Sequence, residues 1–191
     1  MRNWRIALES QKWFFNTTGV EVDYFVHTWD YSMDRTALSK DYNVRAVNQQ
    51  EIKDFVEAYK PKKYIFDSKK REYFYDMDHW SALFYSLSQS ILLKREYELE
   101  HNFEYDVVFK TRPDVCWNPE EPIKWEPLED NFFSYNHGGA MPHEFRSFNL
   151  NDCVFAANSY TMDMLTNLYF YRQHKINKNI PRDYEPNFHA V

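Results

Sequence analysis

Four short clusters in this sequence carry side chains suited to binding or chemistry: His27-Thr28-Trp29-Asp30, Asp67-Ser68, Arg112-Pro113-Asp114 and Asn151-Asp152. An aspartate that follows a buried apolar strand suits a hard divalent cation, because Mg2+ and Mn2+ prefer carboxylate oxygen and keep positions open for phosphate oxygens. Asp114 has that placement, and Arg112 beside it offers a planar fork of donors to phosphate. The chain holds 3 glycines, so a glycine-rich backbone cradle for phosphates is excluded and a metal or side chains must meet them. Asp76-Met77-Asp78 is the competing metal motif; it lies well beyond its strand, where Asp78 also reads as a helix N-cap and Asp76 as a first-turn charge. The other candidates have equally plain alternatives. His27 reads also as a satisfied core histidine, Trp29 as a core aromatic, Asp114 as a turn former after Pro113, and Asp152 as the cap of a turn.

These clusters need elements to hold them. Residues 4–15 have helical apolar spacing, with Trp4, Ile6, Ala7, Leu8, Trp13 and Phe14, and Asn16-Thr17-Thr18-Gly19 stops the run. Residues 22–29 read as a buried strand, 42–47 as a short strand, and 49–59 as a helix with Ile52, Phe55 and Val56 on one face, ended by Pro61. Residues 63–66 predict a strand and 80–101 the longest helix, with an apolar stripe of Leu83, Phe84, Leu87, Ile91 and Leu92. Strands follow at 105–110, 131–135 and 153–157, then a helix over 160–172 and an irregular tail from His174. Strands alternating with helices predict an α/β fold, with a mixed and mostly parallel sheet flanked by helices in a single domain over 1–191. In such sheets ligands sit outside the carboxyl ends of the strands, where the four clusters fall.

Composition narrows the function. The 191 residues include 16 Phe, 15 Tyr and 6 Trp, enough to build a core although the mean hydropathy is −0.76, since Tyr and Trp carry polar tips. A formal charge of −6 with scattered basic residues excludes phosphate-backbone binding to nucleic acid. The one basic run, Lys60, Lys62, Lys63, Lys69, Lys70 and Arg71, reads as a solvated strand edge. Cys116 and Cys153 are too few and too far apart for a disulfide framework or a zinc site, so a reduced, cytoplasmic setting is expected. The sequence has no apolar stretch of membrane-spanning length and no signal-peptide core, which predicts a soluble protein with no membrane span.

The strings VDYFVHTWD (22–30), EYDVVFKTRPDV (104–115) and NDCVFAANSYTMDMLTNLY (151–169), with Ser86 to Tyr97, resemble a family of GT-A-type glycosyltransferases from bacterial surface-polysaccharide loci and some viruses. The similarity spans most of residues 2 to 170, and its motifs are specific jointly rather than singly. It implies a GT-A-like, Rossmann-like fold in which Arg112-Pro113-Asp114 replaces the usual Asp-x-Asp, with Asp114 on Mn2+ or Mg2+ and Arg112 near the diphosphate. His27, Thr28 and Trp29 would face the nucleotide pocket, to which the strand-end Asp67 is added by position, and Asp152 would lie near the acceptor side, where it can take the proton of the attacking hydroxyl if the reaction inverts. Relatives open with an apolar strand and a Ser-Gly-x-x-Arg loop, whereas this chain begins Met1-Arg2-Asn3-Trp4. The expectation is a first nucleotide-binding strand absent or outside the chain, and an acceptor site left open by the end at Val191.

The activity implied is transfer of a sugar from a nucleotide-diphosphate sugar, UDP foremost, to a hydroxyl acceptor, with donor hydrolysis as a side reaction. The alternative is a degenerate, non-catalytic nucleotide- or sugar-binding module of the same fold. A glycoside hydrolase would need two carboxyls flanking a glycosidic bond, and spacing identifies no such pair.

Overall fold

The computed structural model of the protein describes residues 4–34, 43–68, 79–116, 133–134, 154–167 and 170. It is a mixed α/β structure that divides into two compact units, one of residues 1–78 with 113–124 and one of 79–112 with 125–191.

The first unit begins with helix α1, Trp4–Thr18. Its buried residues Trp4, Ala7, Leu8, Gln11, Phe14 and Phe15 follow the 3.6-residue period of one helix face. Ile6 and Trp13, which belong to the mixed apolar spacing read from sequence, lie off that face and are 62% and 44% exposed, while Gln11 and Phe15 complete it. Gly19, at φ +69, ends the element in the left-handed region that glycine enters without strain.

Strands β1 (Phe25–Trp29), β2 (Tyr31–Asp34) and β3 (Asn43–Ala46) precede helix α2 (Gln49–Tyr59) and strand β4 (Lys63–Asp67). Asn48 caps α2, its side-chain oxygen accepting from the Gln50 amide at 2.8 Å. Lys60 closes the helix in the left-handed conformation at φ 47, its N–H bonded to the Val56 carbonyl. β1 and β4 run parallel, in register from Phe25 opposite Lys63 to Trp29 opposite Asp67. Val26 and Phe66 therefore share one face, and on it they pack against Trp4 and Leu8 of α1 and Phe55 and Tyr59 of α2. Phe55 stacks on Tyr59 with ring centroids 4.5 Å apart, and Trp4 meets Phe55 edge to face at 5.3 Å. Such offset and edge-on pairs are the favoured arrangements of aromatic quadrupoles.

In the second unit helix α3 (His79–His101) precedes strands β5 (Val108–Lys110), β6 (Phe133–Ser134) and β7 (Phe155–Ala157) and the short helix α4 (Ser159–Met164). β7 is central and antiparallel to both β5 and β6. All three of its residues are buried, and Phe155 and Ala157 join Leu87, Ile91, Met162 and Leu165 in one core. α3 ends as a Schellman motif: Asn102 takes the left-handed conformation at φ 55 and the Phe103 amide reaches back to the Glu98 carbonyl at 3.2 Å. The predicted helix over 160–172 is interrupted where described. At Leu165 and Thr166 the amides bond three residues back, and the Thr166 hydroxyl also donates to the Asp163 carbonyl, a local tightening after which Asn167 and Phe170 are again helical.

The expected mostly parallel sheet is corrected by these pairings. Among the described residues β1–β4 is parallel, whereas β2–β3, β5–β7 and β6–β7 are antiparallel. A parallel return needs a crossover that carries the chain back to the same end, and here the passage containing α2 provides one. β2 was not predicted, and the strand expected over 22–29 begins at Phe25. Among the described residues no helix is long and apolar enough to cross a membrane.

The apolar stripe of α3 gives way to buried charge. Leu92 is 42% exposed, and Lys94 and Glu98 are buried in its stead. The Lys94 ammonium lies 2.8 Å from Glu98 one turn on and 2.8 Å from Asp163 of α4, and it also donates to Ser159. Ser159 in turn donates to Glu98 Oε1 at 2.7 Å, which also accepts from the Tyr105 amide at 2.9 Å. Burial pushes the Glu98 carboxyl up. Hydrogen bonds from Lys94, the Tyr105 amide and Ser159, with the Lys94 charge, outweigh that and hold it below the ordinary glutamate value.

Lys94→Ala strips a buried ammonium from two carboxylates and is expected to cost about 3–5 kcal/mol in urea unfolding, the usual penalty for breaking a buried pair. Glu98 has a depressed folded pKa, so its contribution is present above its unfolded pKa and is lost as pH falls through the folded one. Stability should therefore drop on acidification below the ordinary glutamate range, and drop less in Glu98→Gln.

Candidate functional site

The carboxyl ends of β1 and β4 bring together three of the residues singled out from sequence. Side chains alternate across a strand, so His27 and Trp29 project from the face opposite Val26 and Phe66. Thr28 lies on the helix-covered face with Val26, and the structure does not group it with the other two. The parallel register places Asp67 directly opposite Trp29, on the same face as His27. The His27 side chain is fully buried, and its Nε2 lies 3.6 Å from Asp67 Oδ2, an ion-pair distance rather than a hydrogen bond. Trp29 stands edge to face on the His27 ring with centroids 5.0 Å apart and planes at 88°. The result is a layered arrangement of a buried imidazole, a carboxylate with a 12% exposed side chain and a half-buried indole.

The backbone beyond β1 is held from both sides. The Asp30 amide donates to the Asp67 carbonyl at 3.2 Å, and the Asp30 carbonyl accepts from the Val47 amide at 2.7 Å. The antiparallel β2–β3 pair follows at once. Trp29 and Asp67 are thus displayed at strand ends whose backbones are bonded to each other, the type of position where α/β sheets bind ligands.

Asp114 belongs to the same unit, and its neighbourhood is set by residues that the sequence reading passed over. Gln11, fully buried on α1, donates from Nε2 to the Val115 carbonyl at 3.0 Å and accepts at Oε1 from the Tyr59 hydroxyl at 3.4 Å. The phenol of Tyr59 is pushed well above the ordinary tyrosine value, first by burial and then by the negative charges of Tyr24, Asp114 and Cys116. The half-buried Asp114 is therefore close enough to α2 for its charge to be felt there. Cys116 is a free, exposed thiol.

Arg112 is half-buried and belongs to the second unit. Asp152, Asp76 and Asp78 lie outside the described residues, as do Lys69, Lys70, Arg71 and Cys153. Within the stretch from Ser86 to Tyr97 on α3, Ser88 donates to the Thr166 carbonyl at 3.1 Å and Ser90 to the Leu87 carbonyl at 2.9 Å, so both hydroxyls serve packing. Among the described residues no three His, Cys, Asp or Glu side chains gather to hold a metal ion.

Gln11 was detectable in principle. It falls at the position of the α1 stripe that continues Trp4 and Leu8, and a polar residue on an apolar stripe marks a buried hydrogen-bonding task. No protein-family model, curated protein or solved structure matches this chain.

His27→Ala removes a fully buried ring from beneath Trp29, and the expected loss is about 2–4 kcal/mol, within the range for truncating a large buried side chain. Urea unfolding gives the loss, and a red shift of tryptophan emission in the folded variant gives the exposure of Trp29.

Proposed function

We propose that this chain is a nucleotide-sugar-dependent glycosyltransferase of GT-A type that binds its donor nucleotide at the carboxyl ends of β1 and β4. The observation that carries the reading is the convergence of His27, Trp29 and Asp67 at the ends of a parallel pair, with Asp114 in the same compact unit. An indole beside a carboxylate is a natural receptor for a nucleoside: the ring offers a stacking surface and the carboxylate accepts from ribose hydroxyls. The resemblance in the HTW, RPD and NDC strings supports the same reading and supplies the remaining roles.

In this reaction an acceptor oxygen attacks the anomeric carbon, the bond to the diphosphate breaks, and the hydroxyl proton passes to a base. Asp152 is the base and Arg112 faces the diphosphate, both roles resting on the resemblance alone. Bound Mn2+ or Mg2+ supplies charge neutralisation for the leaving diphosphate, and Asp114 is the residue that holds it. Water in place of the acceptor hydrolyses the donor. The competing reading is a binding module that keeps the nucleotide site without transfer, and a donor-turnover assay separates the two: release of UDP from a UDP-sugar supports the enzyme, and tight binding without turnover supports the module.

Calorimetry should show UDP binding more tightly with Mn2+ than with EDTA, and Asp114→Asn should remove that difference while leaving the melting temperature nearly unchanged. Equal affinity with and without the ion would take the cation out of the mechanism. Trp29→Ala should weaken UDP by about 1–3 kcal/mol if the indole stacks on the base; an unchanged affinity in a folded variant would return Trp29 to a packing role.

A further inference from the structure

We infer that Gln11 is a positioning residue for Asp114, holding the backbone that carries the carboxylate against α1 and α2; the inference rests on the proposed role of Asp114 in metal-dependent nucleotide binding. Gln11 is fully buried, and its amide works at both ends. Nε2 donates to the Val115 carbonyl at 3.0 Å, and Oε1 accepts, more loosely, from the Tyr59 hydroxyl at 3.4 Å. Val115 immediately follows Asp114, and 104 residues separate it from Gln11, so nothing local dictates the contact. Tyr59 is itself fixed by the stacked Phe55 ring and by Tyr24 edge-on at 5.3 Å. The chain from Tyr59 through Gln11 to the Val115 carbonyl thus runs from a rigid aromatic core to the peptide next to Asp114.

The chemistry makes the link directional. A carboxylate that shares an ion with diphosphate oxygens contributes through its placement as well as its charge. Groups that orient metal ligands without touching the metal typically contribute about 10–100-fold to its affinity. A buried glutamine carries the amide hydrogen bond at the cost of desolvating a polar group inside an apolar stripe, a cost that a methionine of similar shape would not incur. Core filling alone does not require an amide here.

The test measures UDP binding by calorimetry, in Mn2+ and in EDTA, for the wild-type chain, Gln11→Met, Gln11→Glu and Tyr59→Phe. Gln11→Met keeps the volume and loses both hydrogen bonds; Gln11→Glu keeps an acceptor for Tyr59 and loses the donor to Val115. Both should weaken UDP about 10–100-fold in Mn2+ with affinity in EDTA unchanged, whereas Tyr59→Phe, which keeps the Val115 bond and loses only the looser anchor, should weaken it in the same sense but by less. If Gln11→Met fails to fold, Gln11→Glu is judged by the same criterion. Variants that bind Mn2+ and UDP like wild type, or that lose affinity equally in EDTA, overturn the positioning role. A wild-type chain whose UDP affinity is indifferent to Mn2+ overturns the proposed metal chemistry together with it, and so separates the two failures.

Discussion

The parallel pairing of β1 with β4 is the constraint on which the first unit depends. Parallel strands cannot be closed by a tight turn, so the chain must leave the end of β1, cross over and return to the same side before β4 begins. α2 occupies that passage, and with α1 it covers one face of the pair through Trp4, Leu8, Phe55 and Tyr59. With that face filled, the pleat sends His27, Trp29 and Asp67 to the other. The polar cluster is thus a consequence of register: a slip of one residue would put the imidazole into the aromatic layer and Val26 in its place.

The two units solve a similar problem with different materials. In the first, helices meet strands through aromatic rings, and Tyr59 among them sets its hydroxyl on Gln11. In the second, the buried face of α3 carries Leu87 and Ile91 and, further along, Lys94 and Glu98. An apolar contact would be indifferent to small rotations of α4. A lysine shared among Glu98, Asp163 and Ser159 has far fewer acceptable geometries, so the charged end of the contact fixes alignment while the apolar end supplies most of the burial energy.

Sequence period and turn chemistry were enough to locate α2 at residues 49–59, and they came within a residue of β4 and α3. Those elements have strong local signals: one apolar face with Pro61 beyond the end for α2, and a long apolar stripe for α3. Legibility fell where partners from distant parts of the chain decide the outcome. β2 has no apolar alternation and exists through pairing with β3, and the burial of Lys94 and Glu98 has no local signal because their third partner, Asp163, lies far along the chain. At the candidate site, His27, Trp29 and Asp67 were legible as polar residues closing apolar strands. The separation of Thr28 from them follows from strand alternation. Gln11 and Tyr59 escaped because nothing in their neighbours names Val115 as a partner.

Lys94 is also a chemical reporter of the second unit. A side chain with 2% exposure, its ammonium enclosed by two carboxylates and a hydroxyl, cannot meet an acylating reagent while α3 and α4 remain together. Reaction there waits for local opening, so its rate follows the opening equilibrium rather than the nucleophilicity of the amine. Once acylated, the nitrogen has lost its charge and gained bulk, so closing again would bring two carboxylates together with no cation between them, and modification at this position would favour the open form.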